Sequence, residues 1–299
     1  MEMINRWNYK KIITEHLGSD ADLASVQSVY GGDINDARML VLTDGRKVFL
    51  KQNTRSNAGF FRTEEKGLEA IRRTETIRVP ALLGAGVTDG GAYLMMEYLE
   101  AGAKKPDYWE HFGRQLAAMH RADPAQWTPG GLYGFPEDNY IGAGEQVNQV
   151  RNRWVDFFRE CRLEVQFQRA IHYFDSSDRR AIQSLLDHLE KYLPEPEYPS
   201  LLHGDLWGGN FVTGPDGYAW LIDPAVYVGH READLAMTEL FGGFSRTFYE
   251  AYGEVNPFLP EYKDRRDIYN LYHLLNHLNL FGGGYYGSVM RIVRRFKVV

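Results

Sequence analysis

The chain is predicted to be an α+β protein of two lobes, an antiparallel sheet with one helix followed by a larger, mainly helical part. Three observations carry this. Up to Leu99 the apolar residues form short runs separated by turn signals; beyond it they recur at helical spacing. The stretch Ala101-Gly-Ala-Lys-Lys-Pro106 between these regions reads as a linker. Strands first and helices later indicate segregated elements rather than an alternating parallel sheet. The implied division is residues 1–99 and residues 100–299.

In order, residues 26–30 and 38–42 are predicted strands flanking the turn-rich Gly31-Gly-Asp-Ile-Asn-Asp36. Thr43-Asp-Gly-Arg46 predicts a hairpin, because Asp-Gly between apolar runs suits a tight turn. Residues 47–51 form a short strand. Phe60, Phe61, Leu68 and Ile71 share one face of a predicted amphipathic helix over 57–73. Residues 92–99 form a buried strand. In the second part, Tyr108, Phe112, Leu116 and Met119 form one helical stripe, and Val150, Trp154, Phe157, Phe158, Cys161 and Val165 a longer one. A third helix is predicted over 180–193, stopped by Pro194 and Pro196. Two short strands follow around residues 201–222. The end is helical, with Tyr269, Tyr272, Leu275 and Leu278.

The 299 residues are 44% hydrophobic, enough for a large core. A net charge of -6 excludes a general nucleic-acid binder, which needs a basic excess. With Cys161 alone no intrachain disulfide can form, which fits a reducing compartment. The polar start lacks a secretory core, and no run reaches the roughly 20 apolar residues that cross a bilayer. The expectation is a soluble cytoplasmic protein with no membrane or nucleic-acid partner. The sequence leaves the oligomeric state open.

The chemistry concentrates in Leu201-Leu-His-Gly-Asp-Leu-Trp-Gly-Gly-Asn-Phe-Val212. Asp205 precedes Asn210 with four residues between, as in the catalytic loop of kinases, where the Asp accepts a hydroxyl proton and the Asn holds a metal. Asp223, after the apolar run Tyr218-Ala-Trp-Leu-Ile222, is a second candidate magnesium ligand. His203 reads as a support for the loop. Lys51, at a strand end, would reach the ATP phosphates. Its carboxylate partner on the next helix is Glu64, with Glu65 the alternative. Gly31 and Gly32 would cover the phosphates or form a plain hairpin turn, since the glycine pattern is neither of the common phosphate loops. Backbone groups of Met96-Glu-Tyr-Leu99, at Glu97 and Leu99, would meet an adenine between the lobes, with an ordinary buried strand the alternative. Asp234 would brace the catalytic loop. Asp223-Pro224-Ala225 stands where protein kinases carry Asp-Phe-Gly, and no Ala-Pro-Glu follows, so a small acceptor is favoured over a protein hydroxyl.

Together, Leu202-His-Gly-Asp-Leu-Trp-Gly-Gly-Asn210, Ile222-Asp-Pro-Ala225 and Gly229-His-Arg-Glu-Ala-Asp-Leu-Ala-Met237 resemble the fructosamine kinase (ketosamine-3-kinase) family. Gly31-Gly-Asp-Ile-Asn35, Phe49-Leu-Lys51, Phe241-Gly-Gly-Phe244 and Leu280-Phe-Gly-Gly283 add to the likeness, which covers nearly the whole chain. The resemblance implies the two-lobed protein-kinase-like fold, shared with aminoglycoside phosphotransferases and choline kinases. It implies ATP-dependent phosphorylation of the sugar 3-hydroxyl of ketosamines, free or on glycated protein side chains, and hence deglycation repair. It also implies Asp205 as base, Asn210 and Asp223 as magnesium ligands, Lys51 and Glu64 as the phosphate-side ion pair, and Trp207 facing the sugar. An indole face suits the C–H face of a sugar, and a packed core tryptophan is the alternative. The segment around Gly31-Gly32 lacks the redox-active cysteine of some eukaryotic relatives, and Arg38 stands where an aromatic residue is expected. A kinase of aminoglycosides or amino alcohols, and a catalytically inactive nucleotide-binding scaffold, are the competing readings.

Overall fold

The structure, a computed structural model, describes residues 7–29 and 35–296. The first part is built on a five-stranded antiparallel sheet, β1 (Leu23–Val29), β2 (Asp36–Leu42), β3 (Lys47–Asn53), β4 (Leu82–Val87) and β5 (Ala92–Glu97), in the order β1-β2-β3-β5-β4. The Asp-Gly turn closes β2 onto β3: Gly45 has φ +87°, and the Leu42 N–H donates to Arg46 O at 2.9 Å. Arg38 is tied down on β2 by Asp36 at 2.7 Å and by Ser28. The predicted amphipathic helix is α2 (Ala58–Arg72), which buries Phe61, Leu68 and Ile71.

Two elements correct the expectation of a sheet with one helix. An additional helix, α1 (Tyr9–Leu17), precedes the sheet, with Asn8 Oδ1 accepting from the Lys11 N–H at 3.0 Å and Gly18 closing the other end. Strand β4 was hidden because Gly84 and Gly86 are poor strand formers. Both glycines are needed there. A side chain at Gly84 would collide with the His16 ring, and a Cβ at Gly86 would lie 2.7 Å from the Tyr93 hydroxyl. His16 and Tyr93 bond each other across them at 2.8 Å. The strand predicted over 92–99 ends at Glu97.

The second part is mainly helical. Helix α3 (Tyr108–Arg121) packs on α8 (Arg246–Val255) so closely that Gly113 lies against Phe248 O. The long predicted stripe starts later than expected: Val150 is 42% exposed and outside any helix, which begins with α4 (Trp154–Phe157). A wider-wound π segment, Phe158–Glu164, joins α4 to α5 (Val165–Arg169). The helix predicted over 180–193 is α6 (Ser176–Asp187), started by Asp175, whose carboxylate accepts from the N–H groups of Ser177 and Asp178. A separate single turn, Leu189–Lys191, precedes the prolines. Helices α7 (Glu232–Leu240), α9 (Tyr262–Phe281) and α10 (Tyr286–Phe296) complete this part.

Three two-stranded ribbons decorate it: β6 (Asn139–Ile141) with β7 (Gly144–Gln146), β8 (Ser200–Leu202) with β11 (Tyr227–Gly229), and β9 (Phe211–Thr213) with β10 (Ala219–Leu221). The alternation of strand side chains sorts the sheet faces. Leu40, Leu42, Val48, Leu50, Tyr93 and Met95 cover one face under Ile12 and Ile13 of α1. Leu94 and Met96 take the other face and join α2 to the apolar core of the helical part. Among the described residues no helix is long and apolar enough to cross a membrane.

Candidate active site

The loop after β8 is held from behind. Asp234, in the first turn of α7, accepts from the N–H groups of His203 at 2.7 Å and Gly204 at 2.9 Å. Its third partner is His120 Nε2 at 3.2 Å. The bracing role predicted for Asp234 is thus visible in its geometry. Gly204 has φ +83°, and any side chain there would collide with Ala225 O. His203 is fully buried and acts as a strut. Its Nδ1 accepts from the Asp205 N–H at 3.3 Å, so its Nε2 is the protonated nitrogen that donates to Ile222 O at 3.0 Å. Burial keeps its pKa below the usual histidine value.

Asp205 emerges from this loop with its carboxylate facing Asn210. Asn210 Nδ2 donates to Asp205 Oδ2 at 2.9 Å and to Asp205 O at 2.7 Å. His273 Nδ1 on α9 lies 4.0 Å from the other carboxylate oxygen. Burial pushes the Asp205 pKa up to about 7; the Asn210 amide opposes the rise, and the charges of Asp223 and Asp234 add to it. A carboxylate with affinity for a proton near neutrality suits a general base.

The β9–β10 ribbon brings Asn210 and Asp223 to one end. Phe211 pairs with Leu221, and the Ile222 N–H donates to Asn210 O at 3.0 Å, so Asp223 follows directly beside Asn210. Asp223 has φ +53°, a left-handed conformation that costs a non-glycine residue about 1–3 kcal/mol and is typically kept at functional sites. Strand alternation turns Lys51 to the α2 side of the sheet. There its ammonium donates to Glu64 at 2.6 Å and to Asp223. The partner is therefore Glu64 rather than Glu65. Burial works against the charge of Lys51, but the two carboxylates outweigh it and raise its pKa. Burial pushes the Glu64 carboxyl up despite the pull of Lys51, whereas at Asp223 the Lys51 ammonium outweighs burial and holds the pKa below the usual carboxylate value.

The donor set fits a hard cation. Asn210 Nδ2 is occupied by Asp205, leaving Oδ1 and the Asp223 carboxylate as oxygen donors. Among the described residues no group of three or more metal-type side chains occurs. One or two protein oxygens are what magnesium takes when phosphates supply the rest.

The other predicted positions fall around this cluster or outside it. Gly31 and Gly32 lie outside the described residues. The Glu97 N–H already donates to Ala81 O at 2.9 Å, whereas Leu99 lies past the strand end. Trp207 is 40% exposed, so it is not a core residue. Its ring meets Phe241 edge-on at 6.2 Å, and Phe241 lies 5.0 Å from the His277 ring of α9. His273 lies beside Asp205, Phe241 beside Trp207 and His277 beside Phe241, and the sequence reading singled out none of the three as a site residue. The Gly-His-Arg-Glu stretch is structural: Glu232 forms a buried two-point pair with Arg265 at 2.6 and 2.8 Å, and Arg231 Nη2 donates to Pro257 O.

Comparison with known proteins places the whole chain in one family. The family model for fructosamine kinase matches residues 6–298. A chloroplastic protein-ribulosamine 3-kinase of Arabidopsis thaliana is 40% identical over 288 residues, covering 94% of this chain and 85% of that protein. A Synechocystis protein carrying the name ketoamine kinase is 39% identical, covering 95% of this chain and 94% of its own. A crystal structure from Haemophilus somnus that carries the name fructosamine-3-kinase superposes with a TM-score of 0.84 at 29% identity, covering 96% of each chain. The constellation of Lys51, Glu64, Asp205, Asn210 and Asp223 lies within the matched region, and the chain belongs to the fructosamine kinase family.

Proposed function

We propose that the protein transfers the γ-phosphoryl group of ATP to the sugar 3-hydroxyl of ketosamines such as fructosamines or ribulosamines, carried by small amines or by glycated protein side chains. The observation that carries this reading is Asp205, a carboxylate with a pKa near 7, beside Asn210 and Asp223 in one cluster with Lys51. Residues 1–99 serve as the nucleotide lobe and 100–299 as the catalytic and substrate lobe. Asp205 orients the sugar hydroxyl and accepts its proton as the phosphoryl group moves, so the base ends protonated and the ADP oxygen leaves with the electron pair. Lys51, held by Glu64, contacts the α- and β-phosphates. Asn210 and Asp223 would hold magnesium, which would neutralise charge on the phosphate oxygens. Gly31 and Gly32 cover the phosphates, and the backbone at Glu97 and Leu99 faces the adenine. Trp207 presents its exposed ring to the sugar, with Phe241 beside it. The lone cysteine, buried Cys161, accords with a cytoplasmic setting.

The test is a product-resolved assay with ATP, magnesium and a panel of fructosamine, ribulosamine, aminoglycoside and amino-alcohol acceptors. Phosphate should appear on ketosamines and be lost with Asp205→Ala. Transfer only to the other acceptors, or equal turnover by Asp205→Ala, would refute the assignment.

A further inference from the structure

The β6–β7 ribbon plays no part in the chemistry above, yet it touches both halves of it. On one side it reaches α2, the helix that carries Glu64. The Tyr140 ring meets Phe60 edge-on with centroids 4.2 Å apart. The Tyr140 hydroxyl lies so near the helix backbone that a Cβ on Gly59 would be 3.3 Å from it. Just before the ribbon, Glu137 pairs with Lys66 at 2.5 Å and approaches Arg62 at 3.9 Å. Phe60 lies one helical turn before Glu64, and Lys66 half a turn after it.

On the other side the ribbon reads the backbone that follows Asp223. Gln146 Nε2 donates to Ala225 O at 2.9 Å, and Asn139 Nδ2 donates to Val226 O at 2.8 Å. The two amides also bond each other at 2.8 Å, and Tyr272 of α9 donates to Gln146 Oε1 at 2.7 Å. Asn148 links Asn139 to Arg162, a fully buried guanidinium whose face lies 4.0 Å from the Tyr227 ring centroid. Asn139, Gln146 and Asn148 are each at most 5% exposed. Buried amides with paired donors and acceptors fix geometry, because leaving one unpaired is costly. The third contact closes the triangle. Gly67 of α2 faces Pro224 and Val226, where a Cβ would be 3.2 and 3.4 Å from their side chains.

We propose that the β6–β7 ribbon is a clamp that holds helix α2 and the Asp223–Val226 segment at a fixed separation, with Tyr140 and Gln146 as positioning residues for the nucleotide-phosphate site. The inference rests on the kinase reading above. It explains how Glu64 and Asp223, which are far apart in sequence, both reach Lys51 without the Phe-Gly element and activation segment that link these parts in protein kinases. Tyr140 acts on the helix, and Gln146 acts on the segment.

The experiment measures binding of the ATP analogue AMP-PNP with magnesium to the full chain, alongside steady-state kinetics. Tyr140→Gly should weaken analogue binding at least fivefold and raise the KM for ATP by a similar factor. The KM for ketosamine should stay within twofold. Tyr140→Phe keeps the ring and should restore wild-type binding. Gln146→Leu, which removes the bonds to Ala225 and Tyr272 at similar volume, should act in the same direction. Lys66→Ala combined with Glu137→Ala perturbs the exposed edge of the clamp and supplies the same reading if a buried variant fails to fold. Wild-type affinity in every folded variant overturns the clamp, as does a Tyr140→Phe as weak as Tyr140→Gly. Since analogue binding needs no acceptor, failure of wild-type protein to phosphorylate ketosamines would refute the proposed function and leave this test intact.

Discussion

At the scale of single residues, the proposed function divides the labour of the site between Asp205, which would handle a proton, and the Lys51–Glu64–Asp223 cluster, which would handle phosphate charge. Asp205→Asn keeps the shape and the Asn210 contact but removes the base. Its kcat should fall about 10²–10⁴-fold, with magnesium–AMP-PNP affinity within about threefold, read by steady-state kinetics and calorimetric titration. Trp207→Leu should raise the KM for ketosamine about fivefold, an effect of one aromatic contact of about 1 kcal/mol, and leave the KM for ATP unchanged. An equal rise in both constants would count against the sugar-facing role. The residues legible in the sequence were those fixed by short spacing: Asp205 and Asn210 on one loop, Asp223 at the next strand end, and Glu64 on a helix face already marked by Phe61 and Leu68. His273, Phe241 and His277 were not legible. They come from helix α9 and a glycine-flanked turn, and only the tertiary fold brings them beside Asp205 and Trp207.

Among the elements, helices α2, α3 and α9 were readable because their apolar residues repeat at helical period. Three elements were not, each for a physical reason. Helix α1 buries only Ile12 and Ile13, so its stripe is faint. Strand β4 is built around Gly84 and Gly86, which carry no side chain to alternate. The β6–β7 ribbon is held by amide bonds rather than apolar burial, and such bonds leave no period. The pair of Glu232 on α7 with Arg265 on α9 belongs to this scale, since it joins two helices under the active-site loop. Glu232→Ala strands a buried guanidinium and should cost roughly 3–5 kcal/mol in urea unfolding. Glu232→Leu combined with Arg265→Leu should recover most of that loss. Equal losses for the single and double variants would show that the pair contributes packing alone.

Across the whole molecule, one apolar core joins α2 and the inner sheet face to the helical part, while a smaller core lies under α1. The lobes therefore share packing. Thermal unfolding followed by calorimetry should give one transition for the bulk of the chain. Acid should weaken that transition through the buried histidines. Burial, with His277 adding, pushes His273 down to about 3, and burial pushes His230 well below its ordinary value of 6.5. In the unfolded chain both return to about 6.5 and bind protons that the native state refuses. Their contribution is thus complete above pH 6.5 and falls as the pH drops below it, by up to about 1.4 kcal/mol per pH unit for each histidine. His230→Phe should flatten the fall between pH 6.5 and 5 by about one proton's worth. An unchanged slope would exclude His230 from the acid response.

The burial of Lys51 has a chemical consequence for a protein whose family takes its name from sugar-modified amines. Glycation begins when the free lone pair of an accessible amine attacks the carbonyl carbon of a reducing sugar. The Lys51 residue is 8% exposed, and its nitrogen is gripped by Glu64 and Asp223 as an ammonium ion. Only ten of the 34 basic residues are lysines, the others being arginines. A buried ammonium held in this way has no free lone pair to offer, so Lys51 is shielded from the reaction that produces ketosamines.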